Sequence, residues 1–177
     1  MLSSVLKTLR RDEPAPRLSR AQFLGLMASG IVAAGSGMLP AGRAAAETAP
    51  DLSPVDDLDG VYDAWQARFN AGDLDGLMAL YVPDVTYINP DGTELPGAEA
   101  TRADYAALLA LKPQIEIGDR RHVVYQDISL TTNHWTLRLP AADGSFEVLT
   151  GGGIEVVRKH AGAGWQFIID DASRSAT

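Results

Sequence analysis

The sequence predicts an α+β domain, with three N-terminal helices packed on a strongly bent antiparallel sheet. Three observations predict it. Apolar residues recur at helical spacing through residues 53–113, and strand-type alternation fills residues 114–171. Three glycines, Gly151-Gly152-Gly153, interrupt a long strand, where glycine marks a bulge, a bend or the close approach of another group. The apolar phase also changes between Ile128/Leu130 and Trp135/Leu137/Leu139, which predicts a bulge near Thr131 to His134. Helices in one block and strands in the next are the α+β arrangement.

Each element follows from local chemistry. Ser53-Pro54-Val55-Asp56 reads as a helix start: serine caps free N–H groups, proline fits the first turn, and an acid suits the positive end of the dipole. Leu58, Val61, Trp65 and Phe69 form one stripe, and Asn70-Ala71-Gly72 ends the helix. Asp73 caps a second helix, Leu74 to Tyr81, with Leu74, Leu77, Met78 and Tyr81 inward and Pro83 as its stop. Val85, Tyr87 and Asn89 alternate with Thr86 and Ile88 as a short strand, and 'NPDG' from Asn89 to Gly92 is turn chemistry. A third helix follows Thr101, with Tyr105, Leu108, Leu109 and Leu111 apolar, and Pro113 closes it. Then come the strand segments Gln114 to Asp127, Ile128 to Pro140, Phe146 to Lys159 and Trp165 to Asp170, with loops at 'AADGS' and 'AGAG'.

Residues Met1 to Ala46 read as a cleaved export signal, of the twin-arginine or the general secretory kind. Arg10, Arg11, Arg17 and Arg20 give a basic start, Phe23 to Leu39 is apolar and rich in small residues, and Ala44-Ala45-Ala46 supplies a cleavage site. 'SRAQFL' resembles the twin-arginine motif with its second arginine replaced by Ala21. The expected location is periplasmic or secreted, with no stable membrane anchor after cleavage.

Residues 47–177 then form one ordinary domain. The signal holds 6 of the 15 Lys/Arg and 2 of the 23 Asp/Glu, so the domain has 9 basic and 21 acidic residues and a net charge of −12. Such a surface repels nucleic-acid phosphates, so no nucleic-acid partner is expected. The absence of cysteine excludes disulfides, thiol catalysis and lipid attachment through cysteine. His122, His134 and His160 have no zinc-type spacing, and no phosphate-binding loop or dinucleotide fingerprint is present, so neither metal nor cofactor is expected.

The order helix, 'NAGDLDGL', short helix, 'PDVTY', turn, helix and four strands resembles the NTF2-like superfamily. Within it the chain is similar to the SnoaL-like and DUF4440 groups and to ketosteroid isomerase; 'GGGIEVVRK' and 'GWQFIIDD' carry the same likeness. The resemblance implies a cone with an apolar pocket between helices and sheet, and a homodimer paired through the outer sheet face.

The catalytic groups of ketosteroid isomerase map onto only part of this chain. Its general base, a carboxylate just before a turn proline, falls on Asn89, and its helix tyrosine falls on Trp65. Glu155 alone keeps an acid at the third position. That enzyme's mechanism is therefore not expected in its own form.

Glu155 lies in an apolar strand, on the face with Val157 and Leu149, where burial raises a carboxyl pKa. It is the first candidate acid or base, with an ion pair to Arg138 or Arg158 as the structural alternative. His134 is a second catalytic candidate, and His122 a weaker one. Asp170-Asp171 reads first as a solvated strand end. Trp65, Tyr81, Tyr87, Asn89, Tyr105 and Trp135 are expected to line the pocket and bind ligand.

The leading expectation is an exported module that binds a small, largely apolar molecule. The alternatives are a cofactor-independent isomerase, cyclase or dehydratase, and a non-catalytic dimeric interaction domain.

Overall fold

The computed structural model describes residues 49–141 and 143–174, so the expected export signal lies outside the described residues. The first helix, α1, spans Leu58–Ala71 and ends at Gly72. Its cap is Asp57, whose carboxylate accepts from the Gly60 N–H at 2.7 Å, rather than Ser53. Pro54 disfavours helical geometry in the residue before it. Val55 is extended instead and bridges Gly164.

The lead-in is held by Arg68, which is only 4% exposed. Its guanidinium donates to the Ser53 carbonyl at 3.0 Å and the Gly76 carbonyl at 2.9 Å, and pairs with Asp51 at 3.2 Å. One cation thus ties the segment before α1 to the helix after it.

The second helix, α2, is shorter than expected, Leu74–Met78, with Asp73 capping it as expected. Tyr81 and Pro83 belong instead to β1, Tyr81–Ile88. Proline is tolerated there because the register against the neighbouring strand shifts between Tyr81 and Thr86, where ladder bonding is interrupted. A short strand that the sequence did not suggest, β2 (Glu94–Pro96), precedes α3. That helix runs Gly97–Leu109, starting four residues before Thr101. Among the described residues no helix is long and apolar enough to cross a membrane.

The remaining strands are β3 (Gln114–Tyr125), β4 (Ile128–Pro140), β5 (Phe146–His160) and β6 (Gly164–Arg174). The six-stranded sheet has the order β2-β1-β6-β5-β4-β3. Every neighbouring pair is antiparallel except β1–β6, which is parallel. The core between helices and sheet includes Val61, Phe69, Leu77, Val85, Val157 and Phe167, all at most 2% exposed.

The expected bulge near Thr131 to His134 is absent: β4 and β5 pair without a break from Ile128↔Arg158 to Pro140↔Phe146. The extra residue is in β3, between Ile117 and Arg120. The phase change has another cause. Ser129, Thr131, Asn133, Leu137 and Leu139 are buried on the inner face, whereas Leu130 is exposed on the outer one. The outer face is apolar where the inner face is polar, and the sequence records both.

Candidate functional site

Helices α1 and α3 and the inner face of β3 to β6 enclose a cavity, with ≈ 70 Å³ open to the centre of a water molecule. Its walls are aromatic because the helical stripe of α1 and the inward residues of β1 and α3 are rings. Trp65 stacks on Phe69 with centroids 5.0 Å apart, and Tyr87 stacks on Tyr105 at 5.1 Å. Trp65 meets Tyr105 edge to face at 5.9 Å. Trp135 closes another side, over Gly151, where a Cβ would collide with the indole.

Two carboxyls interrupt this wall. Glu155 and Asp170 occupy paired positions on β5 and β6, and are 6% and 5% exposed. Glu155 lies back over Gly153, where any β-carbon would overlap its Oε1. The Asn133 amide donates to Oε1 and Oε2, both at 3.0 Å. The central glycines of the strand therefore make room for an indole and a carboxyl.

Asp170 is held differently. Its Oδ2 accepts from the Tyr81 hydroxyl at 2.7 Å and the Tyr105 hydroxyl at 3.2 Å. Tyr81 in turn accepts from the Trp65 indole N–H at 2.7 Å. The chain Trp65–Tyr81–Asp170 links α1, β1 and β6 through polar atoms inside an apolar core.

The electrostatics follow from depth and neighbours. Burial holds the Glu155 carboxyl well above its usual range, and the Asp170 charge adds to this, against the Asn133 amide. Burial pushes Asp170 up to about 6, with the two tyrosine donors opposing. Burial and Asp170 also raise Tyr81 and Tyr105, and burial with Glu155 raises Tyr62. Of the two carboxyls, Asp170 is the easier to ionise, and Glu155 then keeps its proton.

The structure brings together most, not all, of the expected site residues. Trp65, Tyr87, Tyr105, Trp135 and Glu155 line the cavity, whereas Tyr81 stands behind Asp170 and acts through it. Asn89 is buried but does not line the cavity. Its Oδ1 accepts from the backbone N–H of Asp91 at 3.1 Å and of Thr93 at 3.0 Å, which staples the turn. His134 is on the outer face, paired with Asp119 at 2.7 Å, and this corrects the expectation that it serves the pocket. His122 bridges Asp59 and Thr131, each at 2.9 Å.

Asp170 corrects the reading of a solvated strand end. Strict alternation from the inward Phe167 would send residue 170 outward. The β5–β6 register shifts between Val156↔Ile169 and Val157↔Phe167, so β6 has an extra residue and Asp170 turns inward. Asp171 faces the other way. Despite partial desolvation, Ser173 and Arg174 hold its pKa below the ordinary value.

A bent sheet closed by helices over an aromatic cavity defines a cone of the NTF2-like class. The chain belongs to the SnoaL-like domain family, which matches residues 62–165. Solved structures agree on the fold. An NTF2-like superfamily protein from Salmonella enterica shares 17% identity over 67% of this chain and 88% of its own, at a TM-score of 0.59. Aln2 from a Streptomyces species shares 20% over 66% and 87%, at 0.59. A protein named provisionally as a dehydratase of the NTF2-like family, from Streptomyces avermitilis, shares 20% over 68% and 94%, at 0.60.

Two stability measurements check the site. An acid whose pKa is raised by folding favours the folded state at low pH and opposes it as pH rises through its folded value. For Asp170 the rise from 3.8 to about 6 corresponds to about 3 kcal/mol, at 1.36 kcal/mol per unit. Asp170→Asn is therefore expected to raise the urea midpoint relative to wild type at about pH 8, and to lose that gain near pH 4. Asn89→Ala is expected to cost about 1–2 kcal/mol by the same assay, since two backbone N–H groups lose their acceptor. Asn89→Asp keeps the acceptor and should cost less than the alanine variant.

Proposed function

We propose that this domain holds a small, largely apolar molecule in its cavity and moves a proton on it with Glu155 and Asp170, without a cofactor, as an isomerase, cyclase or dehydratase does. The observation that carries this reading is the burial of both carboxyls on paired positions of the cavity wall. Buried carboxylates that serve only the fold are normally matched by a cation. Here the partners are an amide for Glu155 and two phenols for Asp170.

The roles divide by pKa. Asp170, ionised above about pH 6, takes a proton from carbon, with Tyr81 and Tyr105 fixing its orientation. Glu155, still protonated, donates to a ligand oxygen as charge develops there. In isomerisation Asp170 then returns its proton to the γ-carbon and Glu155 recovers its own from the oxygen; in dehydration Glu155 protonates the departing hydroxyl, which leaves as water. The dehydratase name of one structural neighbour fits this chemistry.

Retention of the ligand without turnover is the second reading. The Asn133 amide favours it, because it engages both Glu155 oxygens. The β,γ-isomer of cyclohexenone separates the two when its conversion to the conjugated ketone is followed by ultraviolet absorbance. The full chain is expected to convert it. Asp170→Asn and Glu155→Gln should each slow conversion by about 100-fold or more, the scale of acid–base catalysis by one positioned group. Uptake of the ketone without conversion would establish the second reading instead.

We further propose export through the Met1–Ala46 signal to the periplasm or the medium, and pairing of two copies through the outer sheet face. Val123, Leu130, Val156 and Ile169 form one cross-strand row on that face by register. Val123, Leu130 and Ile169 are 57%, 42% and 41% exposed. A contiguous apolar surface of this kind is a hallmark of an interface. Light scattering after size exclusion is expected to give a dimer for wild type and a monomer for Leu130→Lys/Ile169→Lys.

A further inference from the structure

We infer that the molecule this cavity selects is an organic cation, a protonated or quaternary amine on a small apolar body. The inference deepens the reading of the same cavity given above and uses the same two carboxyls. It starts from the composition of the wall. Seven of the sixteen lining residues are aromatic, two are carboxylic acids, and none is Lys, Arg or His. The guanidinium of Arg120 sits outside this lining, 5.6 Å from the Tyr62 ring centre, and is engaged by Asp63 at 2.7 Å.

Three physical arguments converge on a cation. Ring faces carry negative potential, and an ammonium group within about 6 Å of several rings is attracted most strongly where water is excluded. The stacked Trp65–Phe69 and Tyr87–Tyr105 pairs supply such rings around one small space. Second, Glu155 and Asp170 are neighbours on paired strand positions, so in the empty cavity one must keep its proton. A positive ligand is attracted to the carboxylate that has ionised, while the other keeps the proton that its role as acid requires. A neutral ligand gains nothing from that charge, and an anion would add a second negative charge to the same space.

Third, the chain carries a formal net charge of −8, which raises the local concentration of cations over anions. The size of the cavity limits the ligand to a single ring or a short alkyl chain bearing the charge. Specificity in this order, cation over neutral over anion, is not what an apolar pocket alone would give.

Benzylamine, benzyl alcohol and benzoate test the ordering on one ring scaffold. Binding to the full chain is read by quenching of tryptophan fluorescence, since Trp65 and Trp135 face the cavity, and by equilibrium dialysis. Benzylamine is expected to bind at least about tenfold more tightly than benzyl alcohol, and benzoate more weakly than either. In Glu155→Gln/Asp170→Asn the amine and the alcohol should fall within about threefold of each other. Retained binding of the alcohol shows that the variant is folded.

Equal binding of amine and alcohol by wild type would overturn the cation inference while leaving the acid–base cavity standing. Survival of the amine preference in the double variant would overturn the part assigned to the two carboxyls and leave the rings as its source. Failure of all three ligands to bind would overturn both readings.

Discussion

Two carboxyls on paired positions of adjacent strands cannot both ionise inside an apolar cavity, and much of this domain is arranged around that constraint. Glu155 lies flat only because Gly153 has no side chain. It stays oriented because Asn133, on the next strand, reaches both of its oxygens. Asp170 stays ionisable because two phenols donate to it and offset part of the cost of burial. Tyr81 is itself positioned by an indole from α1. The helices thus contribute to the acid pair as well as to the core, and a shift of α1 would be felt at Asp170 through two hydrogen bonds in series.

The sheet is bent and irregular where this pair requires it. The extra residue in β6 turns Asp170 inward, and the same shift sends Ile169 to the outer face. One irregularity therefore places an acid in the cavity and adds an apolar side chain to the exposed row. On β4 a similar exchange occurs without a bulge. Ser129, Thr131 and Asn133 give the inner face a polar end near Glu155, while Leu130 faces solvent. The stretch is polar inside and apolar outside, the reverse of ordinary solvation.

How much of this is legible in the sequence depends on how local each cause is. The α1 stripe of Val61, Trp65 and Phe69 follows from helical periodicity, and all three are buried. Glu155 can be singled out because an acid in an apolar strand is conspicuous, and its inward direction follows from strand alternation. Asp170 cannot, because the bulge that reverses its direction arises from pairing with β5 and leaves no local mark. His134 is a candidate only by residue type, and strand alternation from the inward Leu137 and Leu139 places it on the outer face, where it pairs with Asp119. The start of α1 is ambiguous because 'SPVD' and 'DLDG' both resemble caps, and only the bridge from Val55 to Gly164 decides between them.

Asn89 is then intelligible without any catalytic task. Its side-chain oxygen serves two backbone N–H groups in the turn, and an aspartate could accept from both equally well. What an aspartate would add is charge. Ile88 pairs with Asp171 and Tyr87 with Asp170, so a carboxylate at residue 89 would stand one strand away from two others. The amide staples the turn without adding a carboxylate to Asp171, whose charge already raises the Asp170 pKa. A buried carboxylate at residue 89, beside these strands, would push the Asp170 pKa higher still.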